Sequence, residues 1–272
     1  MSITMKLTTG KRIAETSSKG NQEKWREGGR WYKLDLFGYE GLAETVASRL
    51  LEHTNLGELG FSFVPYRVEV LEVHRRQRVG CSSPDFLREG ESILTLAELF
   101  RKGVGPDWQA HVARLPNLAS RVRWMADTTR QLTGLERFGA YLTALFEADM
   151  LFGNEDRHLN NIAVLRRGSD FAYCPFFDFG AGLLSNTRDF PLDVVPKALV
   201  GQLRAQPLGT LFARQVHAAQ GEFGPQLRWD FTETHIAAAL VEALPYYAQR
   251  DRGLLQDRVE WCLKVQQRKL LS

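Results

Sequence analysis

Stretches with a period of two crowd the first third of the chain, and helical periodicity dominates the remainder. Residues 3–7 read as a strand and 12–14 as the start of another, with a turn at 8–10. Residues 25–29 read as a turn. Residues 30–35 read as a strand with Trp31, Lys33 and Asp35 on one face and Tyr32 and Leu34 on the other. A helix is predicted over 41–53, where Leu42, Val46 and Leu50 repeat at i, i+4 beside Ala43 and Ala47. Residues 61–73 are rich in Phe, Val and Tyr but broken by Pro65 into edge-like pieces, and strand character resumes at 77–81. Ser83-Pro84 takes the chain out of strand geometry, which places a lobe boundary at a crossover near 80–90. A short helix with a glycine stop at Gly103 is expected over 92–100.

Further on, 108–115 and 122–132 are loosely amphipathic. Residues 135–152 carry a clear stripe of Phe138, Leu142, Leu145, Phe146 and Met150 that runs into Gly153-Asn154, a helix stop. Two apolar runs, 162–165 and 172–177, flank Arg166-Arg-Gly-Ser169 and read as a hairpin. A capping box at Asp230 and Glu233 precedes Ile236, Leu240 and Leu244, and 253–271 forms a last packing helix. Residues 191–272 read as core and scaffold. The pattern predicts an α+β chain with a small β-rich N-lobe over 1–87 and a larger, mainly helical C-lobe over 88–272.

Composition narrows the class. A chain of 272 residues supports one large domain or two lobes, and a net charge of +3 without basic stripes does not imply nucleic acid. Cys81, Cys174 and Cys262 lack metal-like spacing, which suits buried thiols in a reducing compartment. There is no signal-peptide core and no run of membrane-spanning length, so a cytoplasmic protein is expected. Gly-x-Ser-x-Gly, His-Glu-x-x-His, Walker A and dinucleotide fingerprints are absent, which removes common hydrolase, metalloprotease and oxidoreductase readings.

The chemistry concentrates in Gly153-Asn-Glu-Asp-Arg-His-Leu-Asn-Asn161 and Phe176-Phe-Asp-Phe-Gly180. Phosphoryl transfer needs a carboxylate to orient the attacking hydroxyl and oxygen ligands for the magnesium that bridges nucleotide phosphates. Asp156, the amide Asn161 five positions on, and Asp178 before Phe-Gly supply these parts in kinase order. The hairpin between them brings its ends together, within reach of one metal pair. Upstream, Lys33 on a strand and Glu44 on the next helix have the order of the lysine–glutamate pair that holds the α- and β-phosphates; Glu40 competes as a first-turn residue. The loop Ser17-Ser18-Lys19-Gly20-Asn21-Gln22-Glu23-Lys24 can offer backbone N–H groups and ammoniums to phosphate oxygens. His158 has no second metal-type ligand nearby and, with Arg157, reads as loop support; Asn160 reads as a turn residue and Phe179 as packing beneath the metal site.

Asp156-Arg-His-x-x-Asn161 followed by Phe177-Asp-Phe-Gly180 resembles the catalytic segment of HipA-like serine/threonine kinases and, more distantly, of phosphatidylinositol 3/4-kinases. Residues 17–24 look like the HipA-type phosphate loop, Ser-x-x-Gly-x-Gln-x-Lys, and Glu44 with Arg49 and Leu50 looks like that family's Asn-Glu helix. The resemblance covers roughly residues 15–185. It implies a bilobal protein-kinase-like fold and ATP and Mg²⁺ as cofactors. Asp156 would position or deprotonate the acceptor hydroxyl, Asn161 and Asp178 would hold the metal, Lys33 the α/β-phosphates, and Glu44 would hold Lys33. It also implies autophosphorylation of a phosphate-loop serine, with Ser17 at the matching position and Ser18 adjacent; a dianionic phosphate there would repel the nucleotide. The sequence begins almost at this loop, so it is more similar to compact stand-alone members than to full-length toxins. The partners implied are a protein with a Ser or Thr acceptor and, within the family, an antitoxin-type regulator; no direct nucleic-acid contact is expected, and the chain is expected to be a monomer, resident in the cytoplasm or delivered as an effector. Two rival readings share the motifs: a small-molecule or lipid kinase, suggested by the Asp-Arg-His order, and a nucleotide-binding pseudokinase that regulates a partner.

Overall fold

The computed structural model describes residues 5–7 and 23–271. The turn at 8–10, the strand start at 12–14 and phosphate-loop residues 17–22 lie outside the described residues. Strand β1 (Met5–Leu7) runs parallel to β4 further along. Gly28 and Gly29 take φ of 55° and 72°, the backbone that a tight two-residue hairpin requires. They join β2 (Lys24–Glu27) to β3 (Arg30–Leu34), pairing Lys24 with Lys33 and Trp25 with Tyr32. Residues 25–27, expected to turn, are therefore strand, because the two glycines alone accomplish the reversal. On the inner face the Trp25 and Tyr32 rings stack at 5.4 Å, with Leu34 and Leu71 buried beside them.

Helix α1 (Glu40–Leu51) follows β3, and β4 (Arg67–Val73) and β5 (Arg76–Pro84) complete a sheet ordered β1-β4-β5-β3-β2. Strand β5 continues through the Ser83-Pro84 step expected to end it. Proline is tolerated there because a strand end need not donate a ladder hydrogen bond. A second sheet begins at β6 (Glu91–Thr95), where a helix was expected. Leu94 is buried while its neighbour Ile93 is 39% exposed, a strand alternation, and the helix α2 (Leu96–Gly103) starts only after Thr95 caps it by accepting from Glu98 N.

Then come α3 (Trp108–Ala113), α4 (Leu118–Thr133) and α5 (Phe138–Phe152). Helix α5 is buried on nearly every side, ends at Gly153 with φ of 62°, and releases the chain into the loop 154–161. The expected hairpin is β7 (Ala163–Arg167) with β8 (Asp170–Tyr173), and β7 also pairs with β6. Beyond it lie α6 (Pro196–Val200), α7 (Phe212–Phe223), α8 (Glu233–Ala243) and α9 (Gln249–Leu271). The N-terminus of α8 is capped two residues later than the sequence suggested: Thr232 N donates to His235 Nδ1, which displaces the Asp230–Glu233 box.

One apolar core joins the two sheets' helices. Leu42, Val46 and Leu50 of α1 belong to the same cluster as Phe146 of α5 and Val259 and Leu263 of α9. Helix α1 is thus wedged between β4 and β5 on one side and α8 on the other, so its position relative to the sheet is fixed by packing. Among the described residues, no helix is long and apolar enough to cross a membrane.

Close approach of β3 and β5 depends on Gly80, which pairs with Leu34; a Cβ there would collide with the Lys33 carbonyl oxygen. Gly57 has open space around it. Gly80→Ala should lower unfolding free energy by ~2 kcal/mol or more, and Gly57→Ala should stay within ~0.5 kcal/mol, read by urea denaturation.

Candidate functional site

Alternation along β3 turns Lys33 away from the Trp25–Tyr32 stack and toward α1. Its Nζ donates to Glu44 Oε1 at 2.9 Å and to Asp178 Oδ1 at 2.7 Å, and lies 5.0 Å from the centre of the Tyr66 ring. Glu44 is buried, and its other oxygen accepts from Phe179 N at 2.8 Å. One glutamate on α1 therefore ties the strand lysine to the backbone of the Asp178-Phe-Gly turn. Glu40 is engaged elsewhere: it accepts from Phe37 N and Gly38 N and closes the loop before its own helix.

Charge follows this geometry. Burial alone pulls the Lys33 ammonium down, but the carboxylates of Asp178 and Glu44 outweigh it and hold the group well above its usual range. Burial works upward on Asp178, yet Lys33, Lys24 and Arg157 together keep its carboxyl far below the ordinary range. Burial dominates at Glu44 and raises it despite Lys33. Lys24 stands directly opposite Lys33 in the β2–β3 ladder. Facing like charges are unfavourable in a ladder unless an anion lies between or beyond them.

Asp178 takes φ of 64°, and Leu183 and Leu184 take 55° and 58°. Left-handed backbone at non-glycine residues is strained and persists only where neighbours impose it. Here Leu183 N donates to Phe152 O, Tyr39 Oη to Leu183 O, and Ser185 Oγ to Gly180 O. Phe179 packs edge-on against Phe152 and is buried beneath the turn.

The loop 154–161 is organised around Arg157, whose guanidinium is fully buried. It donates from Nε to both Asp149 oxygens and from Nη1 to the carbonyls of Asn161 (3.0 Å) and Phe177 (2.6 Å), and it covers the Phe179 ring at 4.8 Å. This single side chain spans the entry and exit of the hairpin and fixes Asn161 and Asp178 relative to one another. Asn154 bridges from Asp149 Oδ1 to Asp178 O. Asn161 Nδ2 donates to Asp156 O at 2.9 Å. His158 Nδ1 accepts from Asn160 N, and Nε2 lies 3.7 Å from Asp156 Oδ2.

Asp156 and Asp178 face one cleft with Lys33, Glu44 and Gly180, which Phe37 and Phe190 also line. Of the phosphate-loop residues named from sequence, Ser17, Ser18, Lys19, Gly20, Asn21 and Gln22 lie outside the described residues, and Lys24 sits on β2. Asp149 and Asn154 were missed by sequence reasoning. The available signal for Asp149 was an acid on an otherwise apolar helix, eight residues before an arginine. Tyr247, in a stretch read as scaffold, donates to Asp35 Oδ2 at 2.7 Å and accepts from Leu42 N, and Asp35 Oδ1 accepts from Gly41 N. It thereby joins the end of the lysine strand to the start of the glutamate helix. Among the described residues no group of three His, Cys, Asp or Glu could hold a metal ion unaided.

With this geometry in view, solved structures of the same shape are informative. The Helicobacter pylori proinflammatory kinase CtkA superposes with a TM-score of 0.63 over 97% of this chain and 98% of its own, at 14% identity. HipA of the Shewanella oneidensis MR-1 toxin–antitoxin system, solved with HipB and operator DNA, gives 0.51 over 93% of this chain, at 14% identity. The chain has the HipA-like kinase fold. It spans 65% of the HipA chain. No protein-family model matches the sequence, and no curated protein is significantly similar to it.

Arg157→Met leaves Asp149 without its partner at full burial, so it should cost ~3–5 kcal/mol by urea denaturation, whereas Arg130→Met, at a solvent-exposed pair, should cost under ~0.5 kcal/mol. Burial, with the Glu40 charge adding to it, raises the Asp35 carboxyl to about 7. This folded value lies above the unfolded one of ~3.9. Its stabilising contribution is then complete below pH ~4 and is lost as pH rises toward 7. Between pH 4.5 and 7.5 the wild type should lose on the order of 2 kcal/mol more stability than Asp35→Asn.

Proposed function

We propose that this chain is a Mg-ATP-dependent serine/threonine protein kinase of HipA-like type. The observation that carries this reading is the Lys33 ammonium held between Glu44 on α1 and Asp178 of the Asp-Phe-Gly turn, with Asp156 facing the same cleft. Phosphoryl transfer asks a protein mainly for positioning and charge stabilisation, and these residues offer both.

The residues suit a nucleotide with magnesium. Asp178 is held ionised, Asn161 keeps its amide oxygen available because Nδ2 is the atom bonded to Asp156, and among the described residues there are too few ligands for an all-protein metal cage. Magnesium commonly takes one or two side chains and completes its shell with substrate phosphates and water. When bound, it supplies charge neutralisation to the β- and γ-phosphates. Asn161 and Asp178 would hold it. Lys33 would leave Asp178 partly free by turning its ammonium to the α- and β-phosphates, while Glu44 keeps the lysine in place. Lys24, opposite Lys33, adds positive charge on the same side. Asp156 would accept a hydrogen bond from the acceptor hydroxyl and orient it for in-line attack. Asn161 Nδ2 at 3.5 Å and His158 Nε2 at 3.7 Å both flank its Oδ2.

The reading includes self-phosphorylation at Ser17 or Ser18, where a dianion would oppose nucleotide binding. It also includes an antitoxin-type regulator as a partner, on the strength of the HipA neighbour's complex with HipB.

Purified protein incubated with [γ-³²P]ATP and Mg²⁺ should label itself and a generic Ser/Thr acceptor. Asp156→Ala and Asp178→Ala should each lower the rate by ~10³-fold or more. Full transfer by either variant would contradict the assignment. Mass spectrometry of the labelled wild type should find phosphate on Ser17 or Ser18.

A further inference from the structure

The loop 156–161 has two sides. On one, Asp156 lines the cleft with Lys33 and Asp178. On the other, His158 and Asn160 border a groove of about 370 Å³ with Trp108, Val112 and Met125 along it. The groove continues past Asn160 along α2 to Arg101 and Glu98. His158 connects the sides, since it lines the groove and places Nε2 3.7 Å from Asp156 Oδ2. A chain lying in the groove passes within one side chain of the carboxylate assigned to the acceptor hydroxyl.

The groove also carries a charge surplus. Arg121 lines its inner part and donates only to the Ala113 carbonyl, and Arg101 lies exposed at its outer end. Neither makes a salt bridge among the described residues. Glu98, the acid nearest Arg101 in the lining, is held by Lys102 at 2.5 Å. Apolar lining from Trp108 and Val112 therefore lies between two arginines that have no carboxylate partner among the described residues. Small hydroxylic metabolites need no such extended track, whereas a polypeptide reads side chains on both sides of the acceptor.

We propose that this groove receives the acceptor segment of a protein substrate, with an apolar side chain against Trp108 and acidic residues facing Arg101 and Arg121. The proposal rests on the kinase reading and adds the acceptor class: Ser or Thr in an acidic and apolar context. Complementary charge across such a contact selects partners and suppresses wrong ones.

The test is a positional-scanning library of fluorescein-labelled peptides with one central Ser, offered to the full chain with Mg-ATP, reading both phosphate transfer and binding by polarisation. The wild type should favour Asp or Glu over Lys or Arg at flanking positions by ~10-fold. The double charge reversal Arg101→Glu/Arg121→Glu should invert that preference while leaving the KM for ATP unchanged. Arg101→Glu alone, at an exposed position, should move it part of the way without altering the melting temperature. If the wild type transfers phosphate with no acidic preference, or the double variant keeps the wild-type preference, the groove assignment is wrong and the kinase reading stands. If acidic peptides bind in a manner the reversal abolishes but no phosphate moves, the groove is an acidic-peptide site, its acceptor role is overturned and the kinase reading falls. If the peptides neither bind nor react, both are overturned.

Discussion

The ion pair network of Lys33 depends on three separately built elements arriving at one point. Strand β3 supplies the ammonium, α1 supplies Glu44, and the turn after β8 supplies Asp178. Each is anchored by something other than the charges themselves: Gly80 lets β3 lie against β5, α1 is wedged into the core, and the Asp178 turn is held by Asn154 Nδ2, which donates to Asp178 O, and Ser185 Oγ, which donates to Gly180 O. This matters energetically, because buried charges repay their desolvation only when geometry is fixed beforehand. Under the proposed function the cluster serves as preorganisation for an anion rather than as a source of stability.

Arg157 does for the loop 154–161 what Glu44 does for the lysine. A buried guanidinium in contact with Asp149, two carbonyls and the Phe179 ring holds the loop before the hairpin and the turn after it as one unit. Its planar fork of donors is suited to joining several acceptors at once, which lysine could not do. The Asp-Arg-His order thus acquires a physical meaning: the middle residue faces inward as a brace, and the first faces the cleft.

Much of this was legible from residue order. The hairpin over β7 and β8, the alternation on β3 and the stripe on α5 are short-range patterns that local physics enforces. Spacing favours Glu44 over Glu40 as the lysine's partner, and in the structure Lys33 pairs with Glu44 while Glu40 closes its own loop. Long-range partners stayed hidden. Tyr247 reaches Asp35 across 212 positions, and nothing around Tyr247 in the sequence marks it. Strand β6 was misread as helix because Ile93 and Leu94 alone do not distinguish the two periods; pairing with β7 decides it. Asp149 was overlooked because its apolar surroundings suggested packing, whereas burial of an acid demands a cation.

In the proposed function, Lys33, Asp178 and Asn161 together present a site for nucleotide phosphates and their metal. A crystal structure of the full chain with Mg²⁺ and a non-hydrolysable ATP analogue tests it most directly. It should show α- or β-phosphate oxygens on Lys33 Nζ, the metal bound to Asp178 and to the amide oxygen of Asn161, and the γ-phosphate directed toward Asp156. A triphosphate bound away from Lys33, or a metal that contacts neither Asp178 nor Asn161, would contradict it.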